Sequence, residues 1–199
     1  MVVLAIIGVV MSIVLTSQST FNKTLILKNT AYDIALTLHN AQTYGLGSRA
    51  SNTTINTGYG VHFQNAPTAS LTLFADIYPA PSPFSCHPTD DASSPNAQPG
   101  DCIYTIGQDQ KVTDYTLGNG ITISDFCAFK GSWSCAVALG GGLSSLDIVS
   151  ARPNPDTFIR ANGLSYTSAC LIISSPQGGL RYISVAASGQ ITANAASCP

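Results

Sequence analysis

The groups in this chain that could do chemistry are six cysteines, three histidines and ten acidic residues. The cysteines are Cys86, Cys102, Cys127, Cys135, Cys170 and Cys198, all in the last two thirds of the chain. None forms a CxxC motif, and no Cys/His cluster has zinc-like spacing. An even number at loop-scale spacing points to disulfides and an oxidising compartment. The competing reading is six buried free thiols in a reducing one. Many connectivities are open. The simplest joins nearest neighbours, Cys86–Cys102, Cys127–Cys135 and Cys170–Cys198, each closing a short loop worth about 3 kcal/mol.

Catalytic patterns are absent. His39, His62 and His87 stand alone, and HExxH, GxSxG, Walker A and GxGxxG do not occur. No enzyme and no cofactor is expected. His39 reads as a solvated side chain, and His62, alternating with Val61 and Phe63, as a surface one. Hard cations want clustered carboxylates, so Asp90 with Asp91, or Asp109 with Asp114, are the weak metal candidates. No DxDxDG pattern supports them, and solvated loops are the plainer reading. Arg152, Arg160 and Arg181 could gather against phosphate. The chain carries a formal charge of −2, however, and its tail QITANAASCP has no basic residue, so nucleic acid is not expected as a partner. Trp133, inside the Cys127–Cys135 loop, reads as a core plug rather than an exposed contact. Asn22 and Asn52 open N-x-[ST] tripeptides.

Charged residues make up 9% of the 199, against roughly 25% in ordinary soluble domains. Coiled coils, charge-driven disorder and basic nucleic-acid modules are thereby excluded. Such a surface suits a protein that packs against copies of itself.

The elements that must position these groups fall into two parts, an N-terminal helix over 1–48 and a disulfide-braced, β-rich head over 49–199. Residues 1–15 read MVVLAIIGVVMSIVL, uncharged, with Ser12 alone polar. The run is apolar all round, which an ordinary core helix seldom is. It is shorter than the roughly 20 residues that span a bilayer. After a polar TSQST, Leu27, Ala31, Ile34, Leu38 and Ala41 recur at helical spacing, a stripe made to pack on a sheet. Lys23, Lys28, Asp33 and Asn40 lie off it, and Tyr44-Gly45-Leu46-Gly47 stops the helix. A continuous helix over 1–44 would be about 66 Å long.

Beyond Asn52 the texture is β. TGYGVHF and LTLFADI predict a hairpin with Tyr59, Val61 and Phe63 on one face. Residues 78–101 carry six prolines and form a long loop. CIYTI, KVTDYTL, GITISDF, CAVAL and SLDIVSA predict further strands. ACLIISS, LRYISVAA and QITA close the chain as a meander. The expected class is α+β: a long N-terminal helix, apolar in its first half and amphipathic in its second, packed on an antiparallel sheet.

Val2-Val3-Leu4-Ala5-Ile6-Ile7-Gly8-Val9-Val10 resembles the run that opens mature chains of the type IV pilin and type II secretion pseudopilin family. Leu146-Asp147-Ile148-Val149, the Arg152-Pro153-Asn154-Pro155-Asp156 stretch and the closing hairpin look like the minor pseudopilin H-type branch. The resemblance implies that about six mature residues precede Met1, including a glutamate and a peptidase site. It implies a structural subunit of an extracellular filament, with copies of itself as partners and the inner membrane as host before assembly. Val2, Val3, Leu4, Ile6, Ile7, Gly8, Val9, Val10, Ile13, Val14 and Leu15 would form the filament core. The alternatives are a tip pseudopilin of a periplasmic pseudopilus, and a membrane-tethered adhesin or DNA receptor.

Overall fold

The computed structural model describes residues 2–47, 57–79, 99–152 and 156–198, without the side chains at 4, 5 and 13–22. Helix α1 runs Val2–Leu46. Eleven strands follow: β1 Gly58–Gln64, β2 Ser70–Asp76, β3 Gln110–Thr116, β4 Thr122–Lys130, β5 Ser132–Cys135, β6 Ser145–Ser150, β7 Thr157–Ala161, β8 Leu164–Tyr166, β9 Ser168–Ser174, β10 Leu180–Ala186 and β11 Ile191–Ala195. They form a six-stranded sheet, in the order β3-β2-β1-β6-β7-β8, and a five-stranded sheet, in the order β11-β10-β9-β4-β5. All pairings are antiparallel.

The expected class is therefore corrected. The fold is mostly β, with two antiparallel sheets where a helix laid on one sheet was expected. A long helix packed along a sheet is not seen. The helical stretches described with their side chains are short, one of about 24 residues and one of 7, and the longer one does the packing. The reason lies in where apolar side chains find partners. Leu27, Ala31, Ile34, Leu38 and Ala41 are each at most 2% exposed. They enter one core with Val61, Phe63 and Ile148 of the first sheet and Phe126, Leu171 and Ile183 of the second. The described side chains of the other stretch, residues 6–12, are all exposed. Periodicity within a strand shows that one face is buried, but not which sheet supplies the cover.

The helix end is fixed at close quarters. A Cβ at Gly45 would collide with the Ser150 carbonyl oxygen. Tyr44 meets the ring of Tyr59 edge-on at 5.6 Å. The Gln42 amide donates to the Gly189 carbonyl at 2.7 Å and to the Thr157 hydroxyl at 3.3 Å. The helix thus touches β1, β6, β10 and β11, and so both sheets.

Two expected strands are otherwise. CIYTI makes no ladder, because four successive N–H groups donate to four different carboxylates. Cys102 donates to Asp76 at 2.7 Å, Ile103 to Asp101 at 3.0 Å, Tyr104 to Asp147 at 3.2 Å and Thr105 to Asp109 at 2.7 Å. CAVAL leaves its strand at Cys135. Asp125 then takes the N–H groups of Ala136, Val137 and Ala138 at 2.8–3.0 Å and folds the chain into a turn. A carboxylate that collects backbone donors in this way substitutes for a strand partner. Strands β7 and β8 were not expected from the sequence.

Candidate functional site: an exposed apolar helix segment

Val2, Val3, Ile6, Ile7, Val9, Val10 and Met11 are between 49% and 74% exposed. At about 100° per residue they span about 200° of the circumference of α1, and on the remaining arc a Cβ placed on Gly8 would meet nothing within 4 Å. The one polar side chain hides its own hydroxyl: Ser12 donates to the carbonyls of Gly8 at 3.0 Å and Val9 at 2.9 Å. The segment thus offers a broad, uncharged apolar surface. Soluble monomers seldom leave such a patch open. The side chains of Leu4, Ile13, Val14 and Leu15 lie outside those described. Among the described residues, no helix is long and apolar enough to cross a membrane.

The cysteines sit on the head. Cys127 and Cys135 face each other across β4 and β5 and are bonded. Cys170 of β9, paired in register with Cys127, is bonded to Cys198. The two bridges therefore lie side by side across three strands. Cys102 is also disulfide-bonded; its expected partner Cys86 lies outside the described residues, as do His87, Asp90 and Asp91. Among the described residues, only Asp125, Cys127 and Cys135 have metal-like spacing. Their sulfurs are committed to the bridge, and the Asp125 carboxylate to backbone donors, so this trio offers no thiolate to an ion.

Asp109 and Asp114 do not converge. Asp109 takes the N–H groups of Ile77, Tyr78 and Thr105. Asp114 pairs on the surface with Lys111 at 2.7 Å and accepts from Thr72 at 2.8 Å. His39 is exposed, 3.1 Å from Gln42. His62 is corrected from surface to buried. Its Nδ1 lies 2.6 Å from Asp147, and Tyr104 covers its ring at 5.0 Å. The segment from Asp101 to Asp109 lies over this face of the sheet, so alternation no longer means exposure. Asp114, Thr72, His62, Asp147, Arg160 and Ser165 stand in register across all six strands. Only sequence-distant pairing brings them together, so no local motif could reveal the row.

Burial raises the affinity of the clustered acids for protons. Asp76 is pushed well above the ordinary carboxylate range, first by burial and then by repulsion from Asp109, against the opposing pull of the Cys102 N–H. Burial likewise raises Asp101, Asp109 and Asp147, the last offset by His62. Arg160 and Arg181 stand on different sheets: Arg160 bonds Ser165 on the first, while Arg181 belongs to β10 of the second. Trp133 is half-buried and packs on Phe129 at 5.2 Å. Asn22 and Asn52 are outside the description of side chains.

No family model matches this chain, and no significant match is found among curated proteins or solved structures.

Proposed function

We propose that this chain is a structural subunit of an extracellular filament of the type IV pilus kind, polymerising through its N-terminal helix. One observation carries the reading: an uncharged helical segment with a broad, exposed apolar face stands clear of a folded head. Packing that segment among its copies removes apolar surface from water at about 25 cal/mol per Å². The Val2–Val10 run resembles the pilin opening, and the disulfides suit an exterior compartment. The head would form the outer shell. Before assembly, the same segment would hold the subunit at the inner membrane.

The test is electron microscopy of material sheared from cells, with mass spectrometry of the same fraction. Abundant thin filaments dominated by this chain are expected, and Ile7→Asp should abolish them while leaving the head folded. Traces of the chain in filaments made of another subunit would move it to a tip role. Recovery only as soluble monomer would sink the filament reading.

A further inference from the structure

The packed half of α1 carries two unlike grooves on opposite flanks. On one flank Asp33, Ile34 and Leu36 face Leu71, Tyr115 and Leu117 across a groove of about 340 Å³. On the other, Lys28 and Tyr32 face Leu180, Arg181, Tyr182 and Asn194 across a cleft of about 440 Å³. Each helical position turns by about 100°, so Lys28 and Asp33 point about 140° apart.

The two sites are complementary. The first has an apolar wall of Ile34, Leu36, Leu71 and Leu117, with Thr30, Thr37, Asn40 and Thr116 beside it and one charged group, the acid Asp33. The second presents two cations and an exposed apolar knob, Leu180, which is 45% exposed. The Lys28 ammonium lies over the Tyr32 ring, 5.8 Å from its centre. The Arg181 guanidinium donates to the Leu180 carbonyl at 2.8 Å, which holds both residues at one corner. Among the described residues, Lys111 forms an ion pair with Asp114, and His62 bonds Asp147. Lys28, Arg181 and Asp33 take no part in either. Leu36, on the outward ridge between the grooves, is 59% exposed. Neither groove is complementary to itself, so a two-fold dimer would join like to like.

We infer that the two grooves are the two halves of a head-to-tail contact between copies of this chain. The Leu180–Arg181 corner of one copy seats in the groove of the next, with Leu180 against Leu36 and Tyr115. Asp33 then faces Arg181 and Lys28 across the contact. The inference rests on the filament reading and adds the contact that sets its register. Unlike surfaces on opposite flanks give a heterologous interface, which builds an open filament when its rotation does not close into a ring. On a chain with so few charges, one cross-interface set can fix the register.

The test uses full-length chain and filaments sheared from cells. Asp33→Arg alone, or Lys28→Glu with Arg181→Glu, should each lower filament yield about tenfold. All three together should restore it to near the original level. In an otherwise unaltered chain, a photocrosslinking residue at Tyr115 should join copies, with the bond mapping to residues 180–182 of the neighbour. Thermal unfolding of the variants checks that the heads are intact, and the crosslink does not depend on them. Unaltered chain that forms no filaments would sink the filament reading itself. Filaments indifferent to the charge reversals, or a crosslink that maps elsewhere, would overturn this contact alone.

Discussion

Asp76, Asp101, Asp109 and Asp147 each take one of four successive N–H groups, and each binds protons more tightly in the folded chain than a solvated aspartate does. A carboxyl raised in this way adds stability that is full below its unfolded value near 4 and fades as pH rises through the folded one. Asp114 is shifted the other way by Lys111, but that pair is exposed and contributes little. The melting temperature should therefore climb as pH falls from 7.5 to 5. Asp76→Asn should flatten the climb, because burial raises Asp76 well above the ordinary carboxylate range. A melting temperature constant across that range would contradict the burial argument. None of this was legible from spacing. Asp76 and Asp147 read as strand residues, and only the fold shows what donates to them.

At the scale of elements, α1 meets β6 at close quarters. Gly45 lies against the Ser150 carbonyl with no room for a methyl group. Gly45→Ala should cost about 1–3 kcal/mol by overpacking, read as a shift in the denaturation midpoint with little change in slope. Leu38, 1% exposed, works through volume instead, and Leu38→Ala should cost about 2–5 kcal/mol. If the two changes proved silent, the helix would not be docked as described. The 4-3-4-3 spacing from Leu27 to Ala41 is legible because one helix face sees one core. The division into two sheets was not, because strands of both sheets alternate alike. Strand β8, three residues long, is too short to carry a period.

For the whole molecule, the disulfides divide the work unequally. Cys127–Cys135 spans 8 residues and Cys170–Cys198 spans 28. In the chain-entropy model these loops are worth about 2.5 and about 3.5 kcal/mol. Replacing Cys170 and Cys198 by serine should lower the melting temperature more than replacing Cys127 and Cys135. The reverse order would show that the hairpin, not the tail, limits unfolding. Nearest-neighbour spacing made both bridges legible. Their side-by-side placement needed the β4–β9 register, which no spacing contains.

The Cys170–Cys198 bond has a mechanical consequence. It ties the C-terminal tail to β9, a central strand of the five-stranded sheet, and it encloses the β10–β11 hairpin on which α1 rests. Tension along the helix enters the head through that hairpin and through β1 and β6 together. With the bond closed, the 28-residue span cannot pay out as slack, which at about 3.4 Å per residue would be about 95 Å. A chain pulled by its helix would have to shear that helix from both sheets at once rather than unravel strand by strand. Reducing conditions would turn the same head from a stiff body into an extensible one.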